Sequence, residues 1–316
     1  MKELEFKQLR IFAIKLSIFL ASVAILDFVI GKALQKSYHT ATKGENYLAN
    51  KSIAKVDSQV MVFGSSRAVN IFDPTVLRNE LGGTCFNAGR LGQSIFYHYA
   101  VLQAVLKRHK PEIVILSVDA GDFAREQKDY DLLSQLLPYY HNHPEIQPLV
   151  DLKGPYEKIK MMSSIYPYNS MVLPLLKSKI KPGNEDFLDN GYMPLNRKLK
   201  EPILEIDYNK YAILDSNKIR TYRNFIRDCK NNNVNLYVVC PPYKVNATGE
   251  DKTLEMAESM AKENGIDFYD YSEDPFYTAN VELFADYRHL NKKGSDIFSW
   301  QVSQLIKSDI AEDAAE

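Results

Sequence analysis

Residues 112–119 read Glu-Ile-Val-Ile-Leu-Ser-Val-Asp. Ile113 to Leu116 is an unbroken apolar, mostly β-branched run. It lacks the in-out alternation of a half-buried strand, so it reads as a strand covered on both faces. Pro111 stops the helix expected before it. Similar short runs lie on either side: residues 58–64 (SQVMVFG), 84–88 (TCFNA), 235–240 (NLYVVC, stopped by Pro241-Pro242) and 267–271. Helical spacing falls between them, over 93–108 (Ile95, Tyr99, Leu102, Leu106), 217–231, 253–264 (closed by Gly265) and 292–306. Strands alternating with helices predict an α/β fold: a three-layer α/β/α sandwich on a mostly parallel, flavodoxin-like five-stranded sheet.

The alternation is interrupted once. Residues 123–215 hold nine of the 20 tyrosines and nine of the 14 prolines, with turn signals at Pro182-Gly183 and Asn190-Gly191. This 93-residue stretch reads as an insertion, a lid or acceptor-binding element, in a core of 56–122 plus 216–310. Residues 311–316 read as a disordered tail.

The N-terminus differs in character. Residues 11–31 (IFAIKLSIFLASVAILDFVIG) carry only Lys15 and Asp27, with eleven uncharged residues between them. At about 1.5 Å per residue they match the hydrocarbon thickness of a bilayer. Lys2, Lys7 and Arg10 precede the span; Lys32, Lys36 and Lys43 follow it, a weak bias toward a cytosolic N-terminus. Residues 1–35 therefore read as a short cytosolic tip and a single-pass anchor. The globular part is then extracytoplasmic (periplasmic), beyond a polar stalk at 36–55. A cleaved signal peptide and a buried helix are the rival readings. No convincing small-x-small cleavage site precedes Lys36.

Of the 316 residues, 45% are hydrophobic and 25% charged; 39 basic residues balance 40 acidic ones for a net charge of −1. Mean hydropathy is −0.30, which excludes a multi-span transporter. The balanced charge gives no field calling for nucleic acid. Three scattered cysteines make neither a disulfide framework nor a zinc site, and no metal or cofactor is called for.

In such sheets ligands sit beyond the carboxyl ends of the strands. The first strand ends in Gly64-Ser65-Ser66-Arg67, where a serine is presented beside free backbone N–H groups. The second leads into Asn87-Ala88-Gly89-Arg90-Leu91-Gly92. Asp286-Tyr287-Arg288-His289-Leu290-Asn291 directly precedes the last helix. An Asp three residues before a His orients the imidazole, which can then deprotonate a serine. Each feature alone is also ordinary turn or capping chemistry.

Together the three blocks resemble the SGNH/GDSL hydrolase superfamily over the core, about half the chain. The resemblance implies Ser66 as nucleophile, His289 as base, Asp286 as its orienting acid and Gly92 as an oxyanion donor. Two positions depart from the pattern. Ser65 stands where these hydrolases usually carry Asp. The third strand ends Val118-Asp119-Ala120-Gly121-Asp122 without the usual oxyanion Asn; an ionised Asp119 cannot donate. With the anchor, these departures resemble the divergent membrane-anchored branch that works with membrane O-acyltransferases in alginate acetylation and teichoic-acid D-alanylation. That implies an acyl esterase or O-acyltransferase acting on a cell-envelope polysaccharide. Its partners would be an acylated glycan or acyl donor and a membrane O-acyltransferase. A catalytically inactive glycan- or acyl-carrier-binding partner and a structural envelope protein are the alternatives.

Arg67 is a candidate for holding an anionic group, or for pairing with Asp122. Asp119 is a candidate lining residue. His141 and His143 could bind metal but read more simply as solvated. Cys85 and Cys240 read as inert core thiols, and Tyr243 as a packing residue at the ligand edge. Tyr139, Tyr140, Tyr166 and Tyr168 read either as sugar-stacking rings or as the insertion's own core.

Overall fold

The computed structural model describes residues 2–173, 187–200, 203–211 and 213–313. The expected turn at Pro182-Gly183 and the last three residues lie outside these. Five strands form one sheet: β1 (Val60–Phe63), β2 (Cys85–Asn87), β3 (Ile113–Ser117), β5 (Asn235–Cys240) and β7 (Phe268–Asp270), in the order β2-β1-β3-β5-β7. Every neighbouring pair is parallel, with Val60 opposite Cys85 and Ile113, and Ile113 opposite Asn235. The sheet is thus wholly parallel and flavodoxin-like in order. Two further strands, β4 (Leu204–Asp207) in the insertion and β6 (Val245–Thr248), pair separately; no sequence signal marked them.

Side chains of β1 and β3 alternate between two cores. Met61, Phe63, Val114 and Leu116 face one side. There they meet α2 (Gly44–Ala54), α5 (Ile95–Leu106), α6 (Ser216–Asn231) and α7 (Lys252–Glu263). Val60, Val62, Ile113 and Ile115 face the other side, under α3 (Ser66–Ile71), α4 (Pro74–Leu81) and α8 (Lys292–Asp313). Each such side chain contributes roughly 1.5–3 kcal/mol by leaving water. α4 carries the Asp-Pro start signal: the Asp73 carboxylate accepts from the Thr75 N–H, and Pro74 opens the helix.

Two expectations are corrected. Residues 36–55 are not a stalk. The N-terminal helix α1 runs from Lys2 to His39, and α2 follows within a few residues. Tyr38 and Ile53 are fully buried, because apolar residues spaced among polar ones give this segment a core-facing side. The tail is ordered further than expected, since α8 continues to Asp313. The described residues of the insertion are mostly short helical turns, with β4 as a short strand near their end. Leu136, Leu137, Tyr139 and Tyr140 pack into the first core, and Tyr166 and Tyr168 join them. The Tyr139 hydroxyl meets the Tyr38 hydroxyl and donates to the Asn50 side-chain carbonyl. Tyr139 and Tyr168 pack against Tyr38 at the end of α1, and all four rings join this core, the second of the two expected readings.

α1 has a mean hydropathy of 2.2 in its most apolar window and none of that window is buried. It is the one described helix long and apolar enough to cross a membrane.

Candidate active site

β1 and β3 are adjacent, and the chain leaves them toward opposite flanks of the sheet, so their carboxyl ends border the crevice where such sheets bind ligands. Gly64 makes the turn out of β1. Its φ is +143°, and a Cβ there would stand 2.8 Å from Ser117, so no other residue fits without displacement. Ser65 caps the short helix α3 and Ser66 is its first residue. Asn87 holds α3 from below, donating to the Ala68 and Phe72 carbonyls while accepting from Gly89 N–H.

Ser66 Oγ lies 2.8 Å from His289 Nε2. His289 Nδ1 lies 2.9 Å from Asp286 Oδ1. A carboxylate only accepts, so Nδ1 carries the proton and Nε2 is left to accept the serine hydroxyl. The same Asp286 oxygen accepts the N–H groups of Arg288 (2.9 Å) and His289 (3.0 Å). Ala285 N–H donates back to the His289 carbonyl at 2.9 Å. Asn291 completes the loop, donating to the Glu282 and Phe284 carbonyls and accepting from Gly294 N–H. Burial works against the Asp286 charge, but the hydrogen bond and charge of His289, the Arg288 N–H and Arg197 outweigh it. The carboxyl is held well below its ordinary range.

Arg197 was not singled out from the sequence. Residues 187–200 of the insertion cross the far side of α3, with Met193 N–H on the Val69 carbonyl and Leu199 N–H on the Phe284 carbonyl. They deliver Arg197 Nη2 to Asp286 Oδ2. No local motif could have revealed a contact spanning 89 residues.

A cleft of about 160 Å³ opens beside Ser66, lined by Gly92, Asp119, Tyr211, Lys218 and Arg288 among others. Gly92 adopts φ +67°. Among the described residues its N–H and that of Ser66 bond to no acceptor in the chain, so both are open donors. Among the described residues no Asn lines this cleft. A larger groove of about 530 Å³ lies at the β7 edge with an acidic lining and none of the triad residues.

Arg67 does not face this cleft. Its side chain is fully buried, with Nη1 2.9 Å from Asp119 Oδ1. Nη2 donates to the Pro241 and Pro242 carbonyls, and the guanidinium stacks 3.6 Å from the Tyr243 ring centre. Its ion partner is Asp119, not Asp122. Asp119 in turn accepts from Ser65 Oγ at 2.7 Å. Both oxygens of Asp119 therefore face the protein, and the pair forms a buried floor under the turn that carries Ser66. Tyr243 closes that floor, accepting from Ala120 N–H at 2.6 Å. Asp122 accepts from Asp119 N–H; burial and the Asp119 charge push its carboxyl well up.

Arg288 is the other residue missed, although it stands inside the Asp-x-x-His block. Its half-buried side chain lines the cleft and, among the described residues, makes no hydrogen bond or ion pair. Burial opposes its charge, but Asp119, Tyr243 and Asp122 outweigh that and raise its pKa.

His141 meets the Met161 carbonyl and His143 meets Glu145. Among the described residues no group of three or more His, Cys, Asp or Glu converges to hold a metal. Cys229 and Cys240 are buried and Cys85 is half-buried; burial pushes all three thiols up.

No protein-family model and no curated protein matches the chain. Among solved structures it is similar to an acetyl xylan esterase, AlAXEase, at 14% identity and a TM-score of 0.38, over 79% of this chain and 99% of that one.

Proposed function

We propose that the chain is a membrane-anchored serine acyl esterase or O-acyltransferase acting on a cell-envelope polysaccharide. The observation that carries the reading is the unbroken contact from Ser66 through His289 to Asp286. Ser66 Oγ attacks the acyl carbon as its proton passes to His289 Nε2. The carbonyl oxygen becomes an oxyanion held by the N–H groups of Ser66 and Gly92. Arg288 supplies the side-chain donor that an Asn would otherwise give. Collapse breaks the ester C–O bond, and His289 returns the proton to the departing alkoxide. Water or a sugar hydroxyl, deprotonated by His289, then attacks the acyl-serine; the Ser66 Oγ–acyl bond breaks and His289 returns the proton to Ser66 Oγ, the first outcome being hydrolysis and the second transfer.

The anchor reading of α1 is supported by its length and exposure, and by contacts of Asp27 with the insertion that a removed leader would not keep. The polysaccharide and a membrane O-acyltransferase partner come from the sequence resemblance alone.

The test is turnover of short acyl esters by the full chain in detergent micelles. Ser66→Ala and His289→Ala should each lose roughly 10²–10⁴-fold in kcat/KM. Turnover unchanged in folded Ser66→Ala would overturn the reading. A second reading, a non-catalytic glycan- or acyl-carrier-binding partner, is favoured by the missing Asn. It predicts that Ser66→Ala keeps full biological function.

A further inference from the structure

α1 does not part from the globular region where its apolar stretch ends. Asp27 accepts from Ser163 Oγ at 2.5 Å and from Ser164 N–H at 2.6 Å, with Ile165 N–H at 3.4 Å. One turn later, a Cβ on Gly31 would stand 2.4 Å from Ser164; only glycine allows that approach. Residues 163–165 are therefore fixed against the helix at the level of residues 27–31, the last turn of the apolar span.

The segment just before them exposes large apolar side chains. Tyr156 is 64% exposed, Ile159 65% and Met162 83%, and Phe28, Val29 and Ile30 are exposed on the helix at the same level. A soluble surface rarely gathers such residues without a use. Lys153, Lys158 and Lys160 stand among them, with Glu157 and Asp151 as partners. Apolar tips beside long cationic chains match a headgroup–acyl boundary.

We propose that residues 156–162 are a second membrane contact, in which Tyr156, Ile159 and Met162 enter the headgroup–acyl boundary of the bilayer that α1 crosses. The occupant is a lipid surface because the patch adjoins the exposed apolar face of α1 at the depth where Asp27 and Gly31 hold it. The inference rests on reading α1 as an anchor. Its consequence is orientation: the globular region is held to the bilayer at two points, so the catalytic cleft keeps one height and one facing instead of swinging on a tether.

The experiment places the full chain in lipid nanodiscs containing brominated phosphatidylcholine and reads tryptophan quenching. The native Trp300 is removed as Trp300→Phe, and a reporter is introduced as Met162→Trp, Ile159→Trp or Val23→Trp. Bromine near the headgroup end of the acyl chain should quench Met162→Trp and Ile159→Trp about twofold or more, with bromine near the chain terminus weaker. Val23→Trp should show the opposite depth order. Quenching of Val23→Trp alone overturns the patch and leaves the anchor standing; no quenching at any position overturns both. Emission from Met162→Trp that shifts to the blue as more chains are loaded per disc, without bromine quenching, overturns the lipid assignment in favour of a second copy of the chain.

Discussion

At the scale of single residues, the candidate site depends on how few groups hold each of its atoms. Asp286 has one oxygen on His289 and two backbone N–H groups, and the other on Arg197. Its folded pKa is depressed, so it contributes stability that is present above the unfolded value and is lost as pH falls through the folded one. The stability gap between wild type and Asp286→Asn, followed by denaturant titration, should therefore be widest above about pH 5 and narrow below about pH 4. Arg197→Ala removes only an exposed partner and should cost far less activity than Asp286→Asn. Arg288→Met should lower kcat/KM about 10²-fold through loss of one oxyanion donor, with Arg288→Lys recovering part of it. The contact of Ser66, His289 and Asp286 could be anticipated from the sequence because these residues sit in short local blocks. Arg197 was not, because it arrives from the insertion. Arg67 was misassigned because a charged residue after a Gly-Ser-Ser turn looks the same in sequence whether it points outward or into the core.

At the scale of elements, the strands were legible because burial on both faces removes polar residues, and the sheet order followed from strand–helix alternation. The short helices α3 and α4 and the turns of the insertion carry too few residues for a period to show. α2 was hidden by its polar average. Two elements lend themselves to measurement. α3 stands on the buried Arg67–Asp119 pair, and removing one charge strands the other. Arg67→Met should destabilise by about 3–5 kcal/mol in chemical denaturation, more than the double change Arg67→Met with Asp119→Leu. α5 buries His98, and burial lowers its pKa to about 4 from an ordinary 6.5. The unfolded chain binds a proton there between those values and the folded chain does not. Stability should therefore fall as pH drops from about 6.5 to 4, by on the order of 3 kcal/mol, and His98→Phe should flatten that part of the pH profile.

At the scale of the whole molecule, the organisation differs from a catalytic core with appendages. The end of α1, α2 and the insertion share one apolar core with the sheet, and the insertion reaches both the span at Asp27 and the triad at Asp286. The apolar span was plain in the sequence; that it is wedded to the fold was not, since Asp27 and Gly31 make sense only beside Ser163 and Ser164. The candidate site is equally a property of the whole, because 223 residues separate Ser66 from His289. The most direct test is intact-mass and peptide mapping of the folded full chain after exposure to a fluorophosphonate. A single phosphonyl adduct on Ser66, absent in Ser66→Ala and formed much more slowly in His289→Ala, is the predicted result. No adduct on the folded protein, or an adduct that persists in Ser66→Ala, would contradict it.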